Sequence, residues 1–147
     1  MVASGSAATH VGLLLGLRLL KSEIPVHGIC VRRDKNQQVS RVKGIVRLAE
    51  NLIGCGEVVQ ENDIKCHDEW LHPGYGRTNE FVYEAMALAG NLEAMVVDPV
   101  YTAKSFAGAI GLYRQGLFDI SQNILYLHTG GTPAIFAYER EITETLN

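Results

Sequence analysis

Cysteine is scarce in this chain and unsuited to cross-linking. Cys30, Cys55 and Cys66 are odd in number and have no metal-ligand spacing. That excludes a disulfide framework and a zinc module, and reads as reduced thiols in a cytoplasmic protein. Long apolar runs are also lacking. The opening run, Val11 to Leu20, falls short of the roughly 20 residues a membrane helix needs, and no basic flank makes it a signal peptide. Basic runs and aromatic-interleaved basic patches are absent, and the formal net charge is -3, so no nucleic-acid partner is expected. No G-x-x-x-x-G-K-[ST] sequence occurs, which argues against a nucleotide triphosphatase. There is no internal repeat and no linker. Disorder is excluded by 47% apolar against 20% charged residues. A chain of 147 residues suffices for one core.

What stands out is the stretch Ser4-Gly5-Ser6-Ala7-Ala8-Thr9-His10-Val11-Gly12. Small and hydroxylated residues run straight into an apolar helix. The first backbone N–H groups of a helix have no intrahelical partner, and the helix dipole adds partial positive charge there. Gly5 permits a tight turn, and Ser6 and Thr9 offer hydroxyls. The pattern is that of an anion site, with phosphate the expected ligand; the plainer reading is a capped loop between strand and helix. Such loops follow a strand, yet only Met1, Val2 and Ala3 precede this one, fewer than the roughly five or six residues of an ordinary strand. The expectation is therefore a piece of a longer protein, or a different occupant of that slot.

The rest alternates. Ile24 to Val31 reads as a buried strand, with Cys30 as inert packing and His27 as a satisfied core or edge histidine. Asp34 is an N-cap candidate, and Val39, Val42, Val46, Ala49 and Ile53 mark one face of a helix that Gly54 stops. Val58 and Val59, or Ile64, predict a short edge strand. His67, Asp68 and Glu69 are adjacent, so their side chains diverge, and a hydrated loop is the default reading. In His72-Pro73-Gly74-Tyr75-Gly76, Pro and two Gly frame one aromatic ring. Thr78 or Asn79 caps the next helix, ended by Gly90. Strands are predicted at Ala94 to Val97 and Asn123 to His128, with a helix over Ser105 to Arg114 between them. Thr132 as cap and Pro133 at the first helical position open a last helix with Ala134, Ile135, Ala137 and Tyr138 inward.

Strand and helix in alternation predict an α/β fold: a three-layer, mostly parallel open sheet with helices on both faces. Right-handed crossovers put the strand C-termini on one edge, where such sheets bind ligands. The Ser4 to Thr9 loop, the Tyr101 loop and the Thr129 loop would all open there.

SGSAATHVG, HPGYG, DPVYTAKSFAG and LHTGGTPAIFAY, in this order, resemble the C-terminal half of the fold type II pyridoxal-phosphate enzymes related to tryptophan synthase β. Within that superfamily they are most similar to the branch holding D-cysteine desulfhydrase and 1-aminocyclopropane-1-carboxylate deaminase. The resemblance spans nearly all of the chain. It implies pyridoxal 5'-phosphate as cofactor, a small amino-acid substrate, and a chain that is a single partial cofactor-binding domain over 1–147. It implies a phosphate cradle at Ser4, Gly5, Ser6, Ala7, Ala8 and Thr9, catalytic tyrosines at Tyr75 and Tyr101, and a cofactor-lining turn at Thr129, Gly130 and Gly131. Thr102 falls where the family faces the pyridine nitrogen; Thr there matches the desulfhydrase-like members and Glu the deaminases. Ala103 departs from the family's usual Gly. A second departure is the Schiff-base lysine: none of Lys21, Lys35, Lys43, Lys65 and Lys104 carries its local motif, and Lys104 reads as a solvated surface lysine. The expectation is a truncated, by itself inactive, D-cysteine desulfhydrase-like or aminocyclopropane-carboxylate deaminase-like protein. The alternative is a non-catalytic binding or self-assembly module, a homo-oligomer that keeps the fold. A flavodoxin-like nucleotide binder would explain the loops but not HPGYG or DPVYT.

Overall fold

A computed structural model describes residues 1–146. Three short strands, β1 (Val2–Ser4), β2 (His27–Cys30) and β3 (Lys65–His67), form a parallel sheet in the order β1-β2-β3. Ser4 pairs with Cys30 and Ile29 with His67, so the strands leave the sheet at one common edge. Side chains alternate across a strand, and each face takes its own helices. Val2, Cys30 and Cys66 join Val11, Leu14 and Leu15 of α1 (Ala8–Leu19) and Val42 and Val46 of α2 (Lys35–Ile53) in one cluster. Ile29 turns to the other face and packs with Trp70, with Ala85 of α3 (Glu80–Glu93), and with Ala107 and Leu112 of α4 (Thr102–Arg114). The expected three-layer α/β arrangement is present.

Local chemistry explains the helix ends. Asp34 accepts a hydrogen bond from Gln37 N at 2.9 Å, and Gly54 closes α2 in the left-handed region. Asn79, not Thr78, caps α3 through Val82 N at 3.0 Å. That helix runs past Gly90 and stops at Ala94, which takes the left-handed conformation (φ 51).

Two predicted strands are corrected. Ala94 to Val97 and Asn123 to His128 form no strand and stand outside the ladder. Residues 125–127 lie beside Met1, whose ammonium donates to Leu125 O at 2.6 Å and whose carbonyl accepts from Leu127 N at 3.0 Å. Two bonds to one residue do not make a regular ladder. The expected last helix is a 3-10 turn, Thr132–Tyr138, followed by α5 (Glu139–Leu146), and neither buries a residue. Gly131, with φ 99, stands at its start in place of a Thr132 cap. His27 is buried with Nδ1 3.0 Å from His67 Nε2, and burial followed by the His67 charge lowers it to about 4. No helix of the described residues is long and apolar enough to cross a membrane.

Candidate functional site

The loop between β1 and α1 carries the first element of the site. Ser4 is fully buried, and its hydroxyl is used inside the protein: it accepts from Gln38 Nε2 at 2.8 Å and lies 3.0 Å from His10 Nδ1. With Gln38 as one donor, the Ser4 hydroxyl either donates to His10 Nδ1 or accepts from it, according to the imidazole tautomer. The ring needs Gly28 beneath it, where a Cβ would sit 2.3 Å from His10 Nδ1. Ser4 thus anchors the loop, while Ser6, Ala8 and Thr9 are exposed. Ala7 is buried at φ 77, a left-handed conformation costly for a residue with a Cβ. Among the described residues, no backbone N–H from Gly5 to Thr9 donates to a protein acceptor; the first beyond them is Val11 N, to Ala7 O at 2.8 Å.

The second element is the segment entering α4. Asp98 is fully buried and saturated. Its carboxylate accepts from Val100 N (2.9 Å), Tyr101 N (2.9 Å), Thr102 N (2.8 Å) and Thr102 Oγ1 (2.6 Å). Thr102 Oγ1 also accepts from Asp98 N at 2.7 Å, so its one proton is spent on Asp98. This wrap sets Tyr101, whose phenol is hydrogen-bonded to that of Tyr75. The bond to Tyr75, followed by burial, pushes Tyr101 up to about 12. Behind it, Tyr126 donates to Thr102 O at 2.7 Å and is raised to about 12 by burial.

The loop bearing Tyr75 is held from below. Lys104, expected at the surface, is fully buried. Its ammonium donates to Leu71 O (3.1 Å), Gly74 O (2.9 Å) and Arg77 O (2.9 Å), and burial lowers it to about 8. Placed in the first turn of α4, the four-carbon stem reaches inward to these three carbonyls, a use that composition alone does not reveal. Tyr138 adds a bond to Gly76 O at 2.7 Å.

The third element is the turn Thr129, Gly130, Gly131. Thr129 and Gly130 are exposed. Gly131 lies against Asp98: a Cβ there would come within 2.5 Å of Asp98 Oδ1. The three elements are linked in space. Arg33 donates to Gly5 O at 3.0 Å, and its neighbour Arg32 lies 5.5 Å over the Tyr75 ring. Tyr75 meets Tyr101, and Asp98 joins the Tyr101 segment to Gly131. Asp98, Arg33, Gln38 and Arg41, whose Nε donates to Ser6 O at 2.9 Å, build the site without being singled out by the sequence; for Asp98 the signal was an acidic residue just ahead of a helix.

The model for pyridoxal-phosphate-dependent enzymes matches residues 1–130. The chain belongs to that family. It is 39% identical over 142 residues to a D-cysteine desulfhydrase of Salmonella typhi, covering 97% of this chain and 42% of the relative. The Salmonella choleraesuis (strain SC-B67) D-cysteine desulfhydrase gives the same identity and coverage. A crystal structure of an ACC deaminase homologue superposes with a TM-score of 0.86 at 32% identity, again over 97% of this chain and 42% of that one. The chain therefore spans about two-fifths of the length of these relatives. Pyridoxal phosphate is the family's cofactor, and the residues present suit its phosphate. Among the described residues five consecutive N–H groups at a helix start meet no protein acceptor, which is the donor chemistry an anion needs, and Ser6 and Thr9 are exposed beside them.

Proposed function

We propose that this chain supplies the phosphate-holding and phenol-bearing part of a pyridoxal-phosphate enzyme acting on D-cysteine or a similarly small amino acid. One observation carries the reading: the unpartnered amides of Gly5 to Thr9 are joined, through Arg32 and Arg33, to the Tyr75–Tyr101 pair and the Gly131 turn. Pyridoxal phosphate, when bound, supplies the electron sink for bond cleavage beside the amino group. The chain's own residues do the rest. Gly5 to Thr9 hold the phosphate, with Ser6 and Thr9 hydroxyls added. Asp98 and Thr102 keep the backbone under Tyr101 rigid, and Thr129 to Gly131 close the far side.

Tyr101, held protonated well above neutral pH, keeps a proton at its phenol oxygen. So weak an acid is a poor proton source at neutral pH and suits hydrogen bonding to a developing anion instead. None of the five lysines present carries the local motif of the cofactor-attaching lysine, and Lys104 is committed to three carbonyls. The chain alone is thus a phosphate binder without turnover. Desulfhydrase-like chemistry is favoured over deaminase-like chemistry by Thr102 and by the D-cysteine desulfhydrase relatives. Three free cysteines support a cytoplasmic setting.

Phosphorus NMR of pyridoxal phosphate titrated with the chain tests this. The expected result is a shifted and broadened phosphate resonance, with no pyruvate released from D-cysteine. An unchanged resonance removes the phosphate site, and rapid pyruvate release removes the reading of a non-catalytic part.

A further inference from the structure

We propose that Arg33 and Arg41 are positioning residues that keep the Gly5–Thr9 loop in its anion-accepting orientation by drawing its carbonyls toward α2. The inference rests on the reading of that loop as the phosphate site.

A peptide plane presents N–H on one side and C=O on the other, so a loop that offers amides outward must place its carbonyls behind. Here every carbonyl from Ser4 to Ala7 is taken. Ser4 O accepts from Val31 N at 3.3 Å, and Ala7 O from Val11 N at 2.8 Å. The two between them, at the turn itself, have no backbone partner. Gly5 O accepts from Arg33 Nη1 at 3.0 Å and, more weakly, from Gln38 Nε2 at 3.4 Å. Ser6 O accepts from Arg41 Nε at 2.9 Å. Side chains from the end of β2 and the start of α2 therefore decide which way these two peptides face.

The orientation needs holding. Ala7 at φ 77 is in a conformation that an L-residue with a Cβ leaves unless its surroundings over-determine it. A freed Gly5 or Ser6 peptide could rotate and present its carbonyl outward, which would repel a phosphate. The two arginines also bring charge. Neither forms an ion pair with a carboxylate among the described residues, so both leave uncompensated positive potential behind the amides, where it favours an anion. A lysine would supply the charge and rotatable ammonium donors, without the planar fork.

The experiment is a titration of the nitrogen-15-labelled full chain with inorganic phosphate at constant ionic strength, following the amide resonances of residues 5 to 9. In the wild type these amides shift with a saturable dependence on phosphate. Arg41→Gln, at an exposed position, weakens the affinity tenfold or more and reduces the amide shifts, with the melting midpoint unchanged. Arg41→Lys recovers part of the affinity. Arg33→Gln acts in the same direction; should it fail to fold, Arg41→Gln and Arg41→Lys decide alone. Wild-type affinity and wild-type shifts in Arg41→Gln would overturn the proposal while leaving the phosphate site standing. No shift in the wild type would remove the phosphate reading itself.

Discussion

Single side chains here have duties set by what surrounds them. Tyr75 and Tyr101 share a hydrogen bond at the end of two different loops, and that bond is the first cause of the raised Tyr101 phenol. Tyr75→Phe should therefore bring Tyr101 down from about 12 toward its ordinary value of 10.0, read by tyrosinate absorbance in an alkaline titration. Tyr126, raised by burial rather than by Tyr75, serves as the internal control. The sign for stability follows from linkage. Tyr101 binds its proton more tightly when folded, so its contribution is complete below pH 10 and is lost as the pH rises through about 12. Tyr75→Phe should flatten that alkaline loss. Lys104 shows the reverse of its expected role: a position that looked solvated is an ammonium caged by three carbonyls. Nothing in a lone lysine at a helix start announces such a cage, because the carbonyls come from residues 71 to 77, far away in the chain.

Elements hold together through a few specific ties. At the end of α2, Glu50 is buried and accepts from Val58 N and Val59 N, both at 2.9 Å, while pairing with Arg47. Burial alone would raise its carboxyl. The amide bonds and the Arg47 bond outweigh that and hold it below its ordinary 4.5. Glu50→Ala leaves two amides and a guanidinium without their partner, at a cost of about 3 kcal/mol, read as a lower urea midpoint at neutral pH. The carboxyl is depressed in the fold, so its contribution is present above pH 4.5 and lost as the pH falls through the folded value. Wild type and Glu50→Ala should therefore converge in stability on acidification. The helices of this molecule were readable in advance where capping residues sat next to the apolar period, as at Asp34 and Asn79. The segments at 94–97 and 123–128 were not, because strand composition does not supply a neighbouring strand to pair with.

In the molecule as a whole, β1 is an edge strand with no regular strand on its outer side among the described residues. Ile120, Leu125 and Phe136 are 88%, 79% and 80% exposed, and the backbone of residues 125–127 bonds to Met1 alone among the described residues. Exposed apolar side chains beside an open edge favour association, and we expect copies of this chain to self-associate. Light scattering at micromolar concentration should give a mass above that of one chain, and Leu125→Lys combined with Phe136→Glu should reduce it. A single-chain mass for the wild type would sink that expectation.

Fold class, the hydroxyl-rich loop ahead of α1 and the two tyrosine loops could be read along the chain, because each depends on neighbours within a few residues: glycine next to hydroxyls next to a helix start, or an aromatic ring between glycines. Which way the peptides of Gly5 and Ser6 face and what Lys104 holds depended on partners tens of residues away. Those contacts exist only after parallel strands bring the ends of β1 and β2 to one edge and α2 and α4 close over opposite faces. Hydrogen-bond direction is decided by three-dimensional neighbours, and a string of residue types does not contain them.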